Sequence, residues 1–216
     1  MTLSLNQLLA ALLLLISACS SSPTESVPAT DTTSVTGSGP TADSSTILIV
    51  YLSRTNNTKA IAEIIQEQVG GRLVALELEE PYPENYRATV EQVAKEAESG
   101  FLPPLRTKID NMGQYDVVFV GFPTWGMQLP PPMKTFLRQY DLTGKTVIPF
   151  NTNGGYGIGS TFQTVKELCP NSTVRGGVTM RGGSERDGQR LVIKEDKAAE
   201  AKTAVVKWLR TLNLLN

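Results

Sequence analysis

The chain has no histidine and only two cysteines among 216 residues. Without histidine, Ser-His-Asp and Cys-His catalysis are excluded, and most zinc sites with them. Cys19 and Cys169 stand far apart and form no C-x-x-C redox or metal motif. No catalytic residue and no metal-ligand set can be assigned. The net charge is −1, too little of either sign to draw the protein to nucleic acid. Charged residues make up 19% and hydrophobic residues 40%, so the bulk is globular, and the length suits one ordinary domain.

Long apolar runs are also missing. The longest, Leu8 to Ile16, is too short to span a bilayer but fits the apolar core of a signal peptide. It ends in Ile16-Ser17-Ala18-Cys19, which resembles the lipobox of bacterial lipoproteins, where cleavage precedes a cysteine that carries lipid. Met1 to Gln7 departs from the pattern, since it holds no Lys or Arg. An ordinary secreted protein is the alternative. Ser20 to Ser45 is rich in Ser, Thr and Pro and has almost nothing to bury, so it should be a flexible tether. The expected layout is a lipoprotein signal peptide over 1–18, a tether over 19–45 and a folded domain over 46–216. The protein would then be extracytoplasmic, anchored to a bacterial membrane through lipid on Cys19, leaving Cys169 as a small buried hydrophobe.

From Thr46 onward, strand and helix patterns alternate. Ile47 to Tyr51 is a nearly all-apolar strand, and Ala60, Ile61, Ile64, Ile65 and Val69 recur at helical spacing until Gly70-Gly71. Leu73–Leu78 is a second strand. Tyr86–Ala97 fits a helix with Val90, Val93, Ala94 and Ala97 on its apolar face. Tyr115–Gly121 is a third strand, Pro131–Tyr140 a helix opened by proline, and Lys145–Asn151 a fourth strand. Pro149 points to a strand end or bulge there. Ser160–Leu168 is a helix, Thr173–Met180 a fifth strand weakened by Gly176-Gly177, and Lys197–Leu212 an amphipathic helix with Ala198, Ala201, Ala204, Val205, Trp208, Leu209 and Leu212 inward. Such alternation means β-α-β units, a parallel sheet and a doubly wound three-layer α/β sandwich, with ligands bound outside the carboxyl ends of the strands.

Three loops should share that edge. The first, Ser53-Arg54-Thr55-Asn56-Asn57-Thr58, joins a strand to a helix. It lacks G-x-G-x-x-G and G-x-x-x-x-G-K-[ST], yet offers hydroxyls, amides and unpaired first-turn N–H groups. It reads either as a phosphate seat or as plain helix capping. The second, Phe122 to Pro130, carries Trp125, one of two tryptophans. The third, Thr152 to Gly159, has glycine at 154, 155, 157 and 159, so backbone can approach a flat ligand closely.

With S-R-T-x-N-T, P-x-W-G and G-G-x-G loops in this order, the chain from Thr46 to about Leu212 resembles the flavodoxin-like family, in particular its short members. The resemblance implies a five-stranded parallel sheet of order 2-1-3-4-5 and FMN as cofactor. By position, Ser53, Thr55, Asn57 and Thr58 would hold the FMN phosphate, with Arg54 in the same loop and pointing outward. Asn56 stands where the family usually has glycine, and Asn tolerates a left-handed backbone. Pro123, Thr124, Trp125 and Gly126 would border the flavin ring, with Trp125 as the stacking plate. Gly126 would permit the peptide flip that flavodoxins use. Thr152, Asn153, Gly154, Gly155, Tyr156 and Gly157 would line the polar edge of the ring with backbone N–H groups. Tyr156 does not match the second stacking tyrosine of better-studied flavodoxins.

Two roles follow from the resemblance: an electron carrier between redox partner proteins, or an NAD(P)H- or quinone-linked FMN oxidoreductase; a surface lipoprotein that binds a ligand without redox work is the reading if the three loops are coincidences. From Thr46 on there are 20 Lys+Arg against 18 Asp+Glu, a net of +2, unlike the strongly acidic carriers. Arg175, Arg181, Arg186, Arg190 and Lys194 form a locally basic set that reads as solvated surface or, as the alternative, as a contact for an anionic partner, a lipid surface or NADPH phosphate. Oligomeric state is left open.

Overall fold

A computed structural model describes residues 43–216. The expected signal peptide, Cys19 and the tether up to residue 42 lie outside the described residues. The last three tether residues lie inside them: Ser44–Thr46 makes a single 3-10 turn in which the Asp43 carboxylate accepts from the Ser45 N–H.

Among the described residues six strands form one parallel sheet: β1 (Ile47–Tyr51), β2 (Arg72–Ala75), β3 (Val117–Pro123), β4 (Thr146–Asn153), β5 (Thr173–Val174) and β6 (Val178–Arg181). The order is β2-β1-β3-β4-β5, and β6 continues the fifth position along the same edge of β4. The expected fifth strand is therefore two short pieces around Arg175-Gly176-Gly177.

That break explains Pro149, which lies in the interior of β4, opposite Val120, and not at a strand end or bulge. Its carbonyl faces Gly177, where a Cβ would come within 2.6 Å. Backbone N and C=O of one strand residue point to the same side, so the missing proline N–H falls where no fifth-strand ladder exists to need it.

Five helices among the described residues cover the faces: α1 (Asn57–Val69), α2 (Tyr86–Ser99), α3 (Pro131–Gln139), α4 (Thr161–Leu168) and α5 (Asp196–Thr211). The sheet residues alternate between two cores. Ile47, Ile49, Phe119 and Phe150 pack with Ile61 and Ile65 of α1 and Val205 and Leu209 of α5. Leu48, Val50, Val120 and Phe122 pack with Met133 and Phe136 of α3 and Val165 of α4. In α5, Ala201, Val205, Trp208 and Leu209 are buried as expected, but Ala204 is exposed.

Helix α2 sits differently from its pattern. Val90 is 47% exposed and Ala94 is exposed, while Val93 and Ala97 are half-buried. The buried residues are Thr89 and Glu96. Thr89 donates to the Pro83 carbonyl at 2.7 Å. Glu96 accepts from the Tyr82 hydroxyl and from Gln92 Nε2. The Thr89 and Tyr82 contacts turn this side of the helix inward, which leaves Val90 and Ala94 outward and Val93 and Ala97 at the margin. Cys169, at the end of α4, is free and buried.

Candidate functional site

The loops after β1, β3 and β4 converge, together with the segment after β6, on a cleft of about 350 Å³ at the carboxyl ends of the strands. Elements of a parallel sheet leave it on the same edge, so their C-terminal loops meet at the switch in strand order.

The first loop supplies Arg54, Thr55, Asn57 and Thr58 to the wall. Among the described residues, the backbone N–H groups of Thr55, Asn56, Asn57 and Thr58 donate to no protein acceptor. They open the thirteen-residue helix α1, where the helix dipole adds partial positive charge. Asn56 has φ 65° and ψ 2°, the left-handed conformation that its place in the loop requires. It is exposed and lies off the cleft, as does Ser53, whose hydroxyl accepts from the Lys59 N–H at 3.2 Å. Plain helix capping thus accounts for Ser53. The Thr58 and Thr152 hydroxyls share a buried hydrogen bond of 2.8 Å, which joins the first loop to the third.

Two side chains are committed elsewhere. Arg54 does not point outward: Nε donates to Glu185 at 2.7 Å, Nη1 to the Pro83 carbonyl at 2.9 Å and Nη2 to the Glu84 carbonyl at 2.7 Å. Asn57 is 2% exposed, and its amide is spent on protein. Nδ2 donates to Thr55 Oγ1 and the Arg190 carbonyl, and Oδ1 accepts from the Val192 and Ile193 N–H groups.

The second loop brings Pro123, Thr124, Trp125, Gly126 and Met127 to the cleft. Trp125 and Gln128 exchange backbone hydrogen bonds of 3.2 and 2.9 Å, and Gly126 and Met127 between them have φ of 54° and 62°. Two left-handed residues in a two-residue loop make a type I′ hairpin turn. The Trp125 carbonyl is held by the Gln128 N–H, so a peptide flip there would break the turn, whereas the Gly126 carbonyl has no such bond. Trp125 is braced from behind by the Tyr82 ring, edge-on at 5.3 Å and 85°. Asn151, 1% exposed, donates to the Phe122 carbonyl and Thr124 Oγ1 and accepts from Thr179, fixing where this loop leaves the sheet.

The third loop contributes Thr152, Asn153, Gly154, Tyr156 and Gly157. Gly155 lies off the cleft, near the Arg181 guanidinium. The N–H groups of Gly155 and Gly157 do not line the edge as free donors, because both bond to Asn153 Oδ1, at 2.9 and 3.2 Å. Gly159, with φ 55°, abuts the Met127 carbonyl where a Cβ would sit 2.0 Å away, and the Ser160 N–H bonds that same carbonyl. The second and third loops are thereby locked together. Tyr156 is 70% exposed, and its hydroxyl accepts from Arg186 Nη2 at 3.1 Å.

Sequence reasoning missed the fourth wall, Gly182, Gly183, Ser184, Glu185 and Arg186, and also Tyr86. The edge rule held the signal: whatever follows the fifth strand must reach the same rim. Glu185, with a side chain only 10% exposed, pairs with both Arg54 and Arg190, the latter at 3.2 Å. Part of the basic set is neutralised in this way, and Arg186 pairs with Asp187.

A sequence profile of the flavodoxin family matches residues 46–194. Nothing among the curated proteins matches. Among solved structures, a Bacteroides eggerthii protein described as a flavoprotein superposes with a TM-score of 0.62 at 30% identity, over 77% of this chain and 97% of its own. A similarly described Bacteroides uniformis protein gives 0.59 at 26%, over 67% and 96%. A Lactobacillus acidophilus flavoprotein in complex with FMN shares the fold, with a TM-score of 0.57 at 24% identity over 67% and 98%. The strand order, the rim on which four loops meet and the profile match agree: this chain belongs to the flavodoxin family.

Proposed function

We propose that the protein binds FMN in this cleft and serves as a membrane-tethered redox protein, passing electrons between partners. The observation that carries the reading is the row of unpartnered N–H groups from Thr55 to Thr58 sharing a cleft with the Trp125 face. The donor set suits a phosphate: helix N-terminal N–H groups with the Thr55 and Thr58 hydroxyls beside them. Asn57 supports this seat from below through the 190–193 segment. Trp125 offers a flat apolar wall, and the Asn153 side chain holds the glycine loop in shape. When bound, FMN supplies one- and two-electron chemistry; the protein orients it and sets its surroundings. Arg54 is paired with Glu185 and donates to two backbone carbonyls, so the main-chain dipoles of the loop carry much of the charge compensation.

The tethering half of the proposal rests on Ile16-Ser17-Ala18-Cys19 after the apolar run. Lipid on Cys19 would keep the protein on the outer side of a bacterial membrane. Palmitate labelling, lost in Cys19→Ser, tests it.

The cofactor test is an absorption titration with FMN, with quenching of tryptophan fluorescence as a second readout. A colourless protein that takes up no FMN overturns the reading. Steady-state oxidation of NAD(P)H by the loaded protein would mark an enzyme, and its absence a carrier.

A further inference from the structure

A line of three side chains runs from the cleft wall into the protein. The Trp125 indole lines the cleft, and the Tyr82 ring meets it edge-on from behind, at 5.3 Å and 85°. Tyr82 itself does not line the cleft. Its hydroxyl donates to Glu96 Oε2, while Glu96 Oε1 accepts from Gln92 Nε2 at 2.9 Å. Glu96 is 6% exposed, so the carboxylate meets little water. Among the described residues, no other tyrosine hydroxyl donates to a carboxylate.

Indole and phenol side chains are readily oxidised by one electron. Loss of an electron makes a phenol strongly acidic, and burying that positive charge with no base beside it is costly. A base within hydrogen-bond reach removes the cost by taking the proton. Tyr82 has such a base. Burial and the Glu96 bond push its hydroxyl well above the usual phenol range, so the proton stays on oxygen until the electron leaves. The two other tyrosines at the cleft lack this arrangement. Tyr86 is exposed, and its hydroxyl bonds no protein group among the described residues. The Tyr156 hydroxyl accepts from the Arg186 guanidinium, a cation that opposes loss of an electron.

We propose that Trp125, Tyr82 and Glu96 form a one-electron relay that draws an oxidising equivalent off the cleft wall. A one-electron oxidant in the cleft, photoexcited oxidised flavin, takes an electron from Trp125. The indole N–H, which has no protein acceptor among the described residues, loses its proton to water. An electron then passes from Tyr82 to Trp125, the phenolic proton passes to Glu96 Oε2, and the indole regains a proton from water. Trp125 is restored, Tyr82 becomes a neutral phenoxyl radical and Glu96 a neutral acid. The choice of oxidant rests on FMN occupying the cleft; the transfer from Tyr82 to Trp125 does not.

The test is pulse radiolysis of the full, FMN-free chain with azide radical, which oxidises indole in preference to phenol. The expected result is an indolyl band that decays as a phenoxyl band rises, at a rate independent of protein concentration and slower in deuterium oxide. Trp125→Phe and Tyr82→Phe should each abolish this linked rise. Glu96→Gln, which keeps an acceptor but a far weaker base, should slow it. Tyr86→Phe combined with Tyr156→Phe, both at exposed positions, should leave it unchanged. Thermal melts establish that each variant is folded, and the wild-type comparison in deuterium oxide decides should Tyr82→Phe not fold. The inference is overturned if no phenoxyl band follows the indolyl band, if the rise survives in folded Tyr82→Phe, or if the Tyr86 and Tyr156 replacements remove it. It is also overturned if deuterium oxide and Glu96→Gln both leave the rate unchanged, because the Tyr82–Glu96 bond is then structural alone. A chain that takes up no FMN defeats the flavin reading and leaves this measurement standing.

Discussion

Asn57, in the first turn of α1, reaches the main chain of Arg190, donating to its carbonyl at 2.6 Å across 133 positions of sequence. With Val192 and Ile193 on its Oδ1, this buried amide ties the phosphate loop to the segment leading into α5. Asn57→Ala leaves two backbone N–H groups and a carbonyl without partners. The expected cost is about 3 kcal/mol, read by urea unfolding. FMN affinity should fall too, because the loop loses its support. A variant of wild-type stability would show that water replaces the amide.

The Trp125 wall makes the second prediction. Trp125→Ala should weaken FMN binding by about ten- to a hundredfold, since stacking on one aromatic contributes about 1–3 kcal/mol. Trp125→Phe should stay within about tenfold of wild type. Equal affinities for all three in a flavin fluorescence titration would remove Trp125 from the site.

Tyr82 braces Trp125 and bonds the buried Glu96 carboxylate, and burial together with that bond pushes the Tyr82 hydroxyl well above the usual phenol range. Tyr82→Phe keeps the ring but strips Glu96 of a donor, for an expected loss of about 1–3 kcal/mol. Replacing both, Tyr82→Phe with Glu96→Leu, should recover part of it, because the buried carboxylate goes with its donor and only the half-buried Gln92 amide is left to water. Thermal melts of the wild type and the two variants decide, with Trp emission reporting the brace.

Position 56 tests the loop conformation. Asn56→Gly should change stability by less than about 0.5 kcal/mol, whereas Asn56→Val, at φ 65°, should cost about 1–2 kcal/mol. Denaturation midpoints read both, and a well-tolerated valine would mean that the loop adopts another conformation.

Burial pushes the Cys169 thiol up to about 11. The unfolded chain ionises this group near 9.0. The folded state therefore holds its proton while the unfolded state loses it. Stability is intact below about pH 8 and falls as pH rises toward the folded value, by about 1 kcal/mol at pH 10. Urea midpoints at pH 7.5 and pH 10 measure the loss, and Cys169→Ala should flatten that difference. Slow alkylation of native Cys169 at pH 8 is the companion observation.

The strands were legible because Ile47–Tyr51 and the run around Phe119 have no polar face to hide. The loops were legible because parallel strands deliver them to one edge. What escaped was held by distant or buried polar partners. The helical spacing of α2 treats Glu96 as solvent-facing, whereas its bond to Tyr82 and the Thr89 bond to Pro83 turn that side of the helix inward. Arg54 looked like an outward cation until Glu185, 131 residues away, was brought beside it. Asn153 supplied the acceptor that consumes two glycine N–H groups, a contact that composition cannot reveal. Pro149 was tolerated mid-strand only because its neighbour strand is broken.

That broken strand has a consequence for life in a crowd. The sheet ends on one side in the four residues of β2 and on the other in pieces of two and four residues parted by Gly176-Gly177. Neither margin offers a long straight row of free donors and acceptors on which a neighbouring chain could zip. Copies of the folded domain packed side by side are thus shielded from joining into fibrous aggregates.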